Sequence, residues 1–202
     1  MRACSSVLAV AVALLAGASA LGAEAPAGKD VLFQVSTINV LLDGGFDGMM
    51  TVGDLRKFGD TGIGTFDKVD GEAVILDGAA YQAMADGKVR PAPDSMTTPF
   101  ACVTFFQADE TLDLKAQPSL DALKAALDAR LASKTVFYAV RIDGAFASVK
   151  YRSVPKQAKP YPKLAEVTKT QPVFERSAIK GTLVGFWCPE LARAFNVPGW
   201  HL

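Results

Sequence analysis

The chain holds a single histidine in 202 residues, three cysteines and no cluster of like charge, since 21 Lys and Arg balance 21 Asp and Glu. Each scarcity removes a class of function. The one imidazole, His201, stands second from the end, and nothing resembles a nucleophile elbow, so a Ser/His/Asp hydrolase cannot be assembled. A Cys/His nucleophile fails for the same reason. Counterion release needs clustered Lys and Arg, and the nearest approach, "KPYPK", is short and proline-rich, so nucleic acid is not an expected partner. Cys102 and Cys188 are spaced too widely for a CxxC-type metal or redox motif. "GIGTFD" leads into hairpins rather than from a strand into a helix, so phosphate cradling and nucleotide cofactors are not indicated. Pairs of carboxylates for sugar hydrolysis could be nominated anywhere among 21 acidic residues and carry no specificity.

What is present is apolar material, half of the composition, enough for a core. "MRACSSVLAVAVALLAGASALGAEAPAG" has one early positive charge, a short apolar run and then small residues at alternating positions. Residues 1–25 therefore read as a secretory signal peptide, with cleavage after Ala20, Ala23 or Ala25, and Cys4 leaves with it. The alternative, a membrane anchor, is disfavoured by the shortness of the run and the lack of basic residues after it. An exported protein, periplasmic or secreted, with no membrane association beyond the signal peptide, is the expectation. Cys102 and Cys188 lie in apolar stretches, "FACVTFF" and "GFWCPE", and read as free buried thiols.

Residues 26–202 read as one α+β domain: an antiparallel or mixed β-sheet meander with a few helices packed to one side. "VLFQVSTINVLLDGG" predicts a strand or short helix running into a turn. Thr51 and Asp54 have capping-box spacing, with Val52, Leu55 and Phe58 on one helical face and Gly59 closing it. Asp-Gly pairs at Asp70-Gly71, Asp77-Gly78 and Asp86-Gly87 predict consecutive hairpins, and a further turn is expected at Asp143-Gly144. Ser119 caps "LDALKAALDARLA", whose Leu120, Leu123, Leu127 and Leu131 predict an amphipathic helix lying on a sheet. "RSVPKQAKPYPKLAEV" predicts a loop or extended segment, "GTLVGFW" a strand, and "PELARAF" a short turn of helix.

Two residues stand out for chemistry. Glu72 opens an apolar strand directly after a tight turn, and Arg152 ends a strand just before a proline-containing loop. Strand ends that feed irregular loops are where sites are commonly built, although residues of either kind in such places are more often ordinary surface charges.

Longer strings carry more. "GTFDKVDGE", "TPFACVTFF", "RSVPKQAKPY", "GTLVGFWCPE" and "NVPGWH" resemble the alpha-acetolactate decarboxylase family in order and spacing, over Val31 to Leu202. The resemblance implies conversion of 2-acetolactate to acetoin and carbon dioxide, a homodimer, and a zinc ion held by three histidines. Carried over by position, His201 matches the first zinc ligand, Glu72 the carboxylate beside the metal, Arg152 the active-site arginine and Thr65 a threonine of the same pocket. Zinc there would act as a Lewis acid on the substrate oxygens. The other two histidine ligands are absent, so the C-terminal metal-binding part is expected to be largely missing, and these residues alone are expected to show little or no activity. The alternative is an inactive remnant or a non-catalytic exported binding domain.

Overall fold

Along Glu72–Leu76 and Ala79–Ala83 buried residues alternate with more exposed ones, and the Asp77-Gly78 turn interrupts the alternation. A period of two exposes one set of side chains to each face of a sheet, and both segments lie within one. The computed structural model describes residue 28 and residues 30–202; the signal-peptide reading lies outside the described residues. In chain order the elements are β1 (Phe33–Val35), α1 (Ile38–Leu42), β2 (Met50–Thr51), α2 (Val52–Leu55), β3 (Thr61–Thr65), β4 (Glu72–Leu76), β5 (Ala79–Ala83), β6 (Val89–Pro91), β7 (Thr97–Thr98), β8 (Phe100–Thr104), α3 (Leu120–Asp128), β9 (Tyr138–Arg152), α4 (Leu164–Val167), β10 (Val173–Cys188) and β11 (Gly199–His201).

A six-stranded sheet runs β1-β8-β3-β4-β5-β6, with every pairing antiparallel, so the α+β expectation holds. The β4–β5 hairpin turns on Asp77-Gly78, both at positive φ, which aspartate tolerates and glycine adopts freely. One face of the sheet carries Ala73, Ile75, Ala80, Ala101 and Val103, packed with Val35, Val52, Leu55 and Phe66. The other carries Phe100 and Cys102, packed with Ile38, Leu41, Phe46, Val154, Val167 and Phe186. Each large side chain among them contributes about 1.5–3 kcal/mol by leaving water. Cys102 and Cys188 are free and buried, as the sequence implied.

The helices are not segregated to one side. α2 packs on the first face and α1 on the second, because each is one short turn or so, able to fill only a local gap. Thr51 caps α2 by accepting from the Asp54 amide, yet the helix ends at Leu55, before Gly59. Ser119 likewise caps α3, accepting from Ala122 N. Of the leucine stripe on α3, however, only Leu127 is buried, while Leu120 is 53% exposed, so the helix does not lie on the sheet as its periodicity predicts. Within the proline-rich loop the last residues, Leu164–Val167, form α4 rather than extended chain.

The turn expected at Asp143-Gly144 does not exist. β9 runs unbroken through it and pairs along its length with β10, Gly144 opposite Gly181. The Asp143 carboxylate accepts from Thr182 Oγ1 at 2.6 Å and from Arg141 Nε at 3.1 Å, so the ladder and its side chains outweigh the local turn preference. β11 completes a three-stranded sheet in the order β11-β10-β9.

Candidate active site

Glu72 is the first residue of β4, where it pairs with Thr65 on β3 and Ala83 on β5. It follows the Asp70-Gly71 turn, which is held from several directions. Thr65 Oγ1 donates to the Gly71 carbonyl at 2.7 Å, and the Gly71 amide donates to Val154 O at 3.0 Å. From the opposite face Gln82 Nε2 donates to Asp70 O at 2.5 Å, while Arg90 Nε donates to Gln82 Oε1 at 2.8 Å. Gly71 has φ +80°, and a Cβ there would stand 2.3 Å from Ala83 O, so only glycine lets the turn close against β5. The consequence is a carboxylate whose backbone has little freedom.

Arg152 ends β9 opposite Val173, with its side chain exposed. The next residues, Ser153 and Val154, are buried, and the Ser153 hydroxyl donates to Ala83 O at 2.8 Å. This brings the end of β9 beside the Glu72 pair. Burial pushes the Glu72 carboxyl up to about 7, opposed by the positive charge of Arg152 and by the Val154 N–H. Loss of hydration outweighs both, since a half-hidden carboxylate gives up more solvation than one exposed cation and one amide return.

The structure therefore brings Thr65, Glu72 and Arg152 together. Thr65 is buried with its hydroxyl hydrogen already committed to Gly71, which makes it a support for the turn. His201 lies on β11 opposite Phe186, its Nε2 is 2.9 Å from Val197 O, and it makes no hydrogen bond or ion pair with the other three among the described residues. Burial and the nearby Lys124 hold its pKa below 6.5. Ser153 and Gln82 were not singled out by the sequence reading. Gln82 had a signal, as a polar residue in register with Ala80 on the inward face of β5; Ser153 had none.

Catalytic zinc usually takes three protein ligands and keeps an open position. Among the described residues no group of three His, Cys, Asp or Glu could hold a metal ion, and the one imidazole is turned to a backbone carbonyl beside a lysine. The described residues do not by themselves fit a zinc site. A surface depression of about 620 Å³ lies over Lys68, Lys156 and Lys159. Its lysines are paired with Asp67, Asp70 and Asp47, leaving little net attraction for an anion.

The family model described as alpha-acetolactate decarboxylase matches residues 32–202. The chain belongs to the alpha-acetolactate decarboxylase family. It is 52% identical over 174 residues to the alpha-acetolactate decarboxylase of Methanosarcina mazei, covering 86% of this chain and 60% of that one. The Brevibacillus brevis decarboxylase is 47% identical over 177 residues, 88% of this chain and 62% of that one. The chain thus spans about 60% of the length of these curated decarboxylases. The crystal structure of the Bacillus subtilis strain 168 alpha-acetolactate decarboxylase superposes with a TM-score of 0.81 at 40% identity, over 84% of this chain and 73% of that one.

Proposed function

We propose that the chain decarboxylates 2-acetolactate to acetoin and carbon dioxide, acting as a carboxy-lyase. The observation that carries this reading is the Glu72 carboxyl, set at about 7 beside a guanidinium on a rigid turn. Membership of the family supplies the substrate. Cleavage of the bond to the carboxylate leaves its electron pair on the carbon skeleton, spread onto the neighbouring carbonyl oxygen as an enediolate. Arg152, exposed at its strand end, offers paired donors to the departing carboxylate or the enediolate, a geometry that a lysine ammonium does not reproduce. Glu72, partly protonated near neutrality, gives a proton to carbon on one face and regains it from solvent. Thr65 acts by fixing the turn that carries Glu72.

We extend the reading to zinc, with His201 as one donor. A homodimer and an exported location, periplasmic or secreted, belong to the same proposal; among the described residues no helix is long and apolar enough to cross a membrane. The single imidazole favours one other reading, a binding domain for 2-acetolactate that does not turn it over.

The test is acetoin formation from 2-acetolactate together with zinc content, on the purified protein and its Arg152→Lys variant. Where the remaining zinc ligands are supplied, acetoin above the spontaneous rate, in proportion to bound zinc, is expected, with Arg152→Lys losing about 100-fold in turnover and no zinc, while residues 1–202 alone are expected to form little or none. Stoichiometric zinc with no acetoin overturns the enzyme reading. Saturable substrate binding with neither zinc nor acetoin supports the binding domain instead.

A further inference from the structure

Ser153 is completely buried, lies between Arg152 and Val154, and is used by no step of the chemistry above. A buried hydroxyl must find a partner, and this one donates to the Ala83 carbonyl at 2.8 Å. Ala83 is the β5 residue paired with Glu72. The bond therefore ties the end of β9 to the strand beside the carboxylate, from a chain position far away in sequence. On the far side of the same residue the Ser153 amide donates to Pro172 O at 3.3 Å, where the ladder to β10 begins. Both neighbours of Ser153 act on Glu72: Arg152 through its charge and Val154 through its N–H. Val154 is also fixed by accepting from Gly71, the residue before Glu72.

We propose that Ser153 is a positioning residue, whose hydroxyl sets the distance between the Arg152–Val154 segment and the Glu72 carboxylate. The segment has no other side-chain hydrogen bond to β5 at this point among the described residues, since Tyr151 Oη reaches past the strand to Gly87 O. Without the hydroxyl, the β9 end keeps its ladder to β10 and loses its tether to β5. Val154 stays held by the bond from the Gly71 amide, but Arg152 then sits further from the carboxylate, and the charge that favours its ionised form weakens. The role rests on the reading of Glu72 and Arg152 as working residues, but its test needs no turnover.

The measurement is the titration midpoint of Glu72 in the full chain, followed by carbon NMR of protein labelled at glutamate and assigned by difference with Glu72→Gln. In Ser153→Ala the midpoint is expected to rise by about 1 pH unit above that of the unaltered protein, the scale on which one neighbouring charge or hydrogen bond acts. Ser153→Cys, which keeps the shape but is a poor donor, is expected to rise as well and serves if the alanine variant does not fold. A folded variant with an unmoved midpoint overturns the role of Ser153. Absence of acetoin from the unaltered protein would bear on the decarboxylase reading alone.

Discussion

Replacing Glu72 with glutamine removes a proton-binding site while keeping side-chain volume and an acceptor for the Val154 N–H. The carboxyl is raised from 4.5 to about 7, chiefly by lost hydration, with Arg152 and Val154 opposing. Each pH unit of difference corresponds to about 1.4 kcal/mol, so ionising this group in the folded protein costs about 3 kcal/mol more than in the unfolded chain. Solvent reaching the partly exposed side chain brings this nearer about 2 kcal/mol. Because the folded value is the higher one, the stability that the neutral carboxyl contributes is complete below 4.5 and is lost as pH rises through about 7. Glu72→Gln escapes that loss. His201 works in the opposite sense, with a folded value held below 6.5, and it cancels when the two proteins are compared at each pH. The depressed carboxylates of Asp47, Asp54, Asp86 and Asp143 act at lower pH and cancel likewise. Urea unfolding followed by the fluorescence of Trp187 and Trp200 is the assay. The stability of the variant relative to the unaltered protein should climb by about 2 kcal/mol between about pH 5 and pH 8, then level off. A difference that stays constant across that range refutes the argument.

Two other outcomes follow from close packing. A Cβ at Gly185 would lie 1.9 Å from His201 O and 2.8 Å from Leu202 Cα, both backbone, so Gly185→Ala should push β11 off β10 at a cost of about 2 kcal/mol or more. Proton NMR of the single imidazole would then show His201 returning toward 6.5 from below; an unchanged melting temperature and imidazole titration would contradict this. Burial pushes the Cys102 thiol up to about 12 and the Cys188 thiol to about 11, and Cys102 is further engaged with Gln34 and Asn196. Neither should react with Ellman's reagent at about pH 8 until the protein is unfolded, as read by peptide mass spectrometry, because the reagent needs a thiolate; fast labelling of either in the folded protein would show the site to be open.

Local signals were legible where local chemistry decides. Positive φ at Asp77 and Gly78 makes the β4–β5 hairpin, and the Thr51 and Ser119 caps form as their spacing implied. Asp143-Gly144 carries the same dipeptide and makes no turn, because its strand partner is supplied from a distant part of the chain and takes up both backbone and carboxylate. The leucines of α3 show the same limit. Periodicity states which residues share a face, but whether a surface lies opposite depends on tertiary placement, and here only Leu127 meets one. Glu72 and Arg152 were legible as strand-end charges, whereas Ser153 gave no sign, since its importance depends on a carbonyl seventy positions earlier in the chain.

The long β9–β10 ribbon shows why the site needs such a tether. Arg141 Nη1 donates to Asp77 Oδ1 at 2.7 Å, fixing β9 at the turn of the β4–β5 hairpin. Ser153 fixes it again at Ala83, the partner of Glu72 at the hairpin's other end. Along β4 those two points are about 17 Å apart, while the strand from Arg141 to Ser153 has an extended length of about 40 Å. Even the full reach of the arginine side chain leaves the ribbon longer than its span, so it must bow between its attachments. The Gly144–Gly181 pair and Ala178, at positive φ, fall within that bowed stretch, where bare or twisted backbone lowers the cost of curvature. A bowed two-stranded ribbon whose edges are largely unpaired among the described residues is not rigid by itself. Its placement near Glu72 is therefore set at the tethers, and the distance from guanidinium to carboxylate depends on the tether next to Arg152.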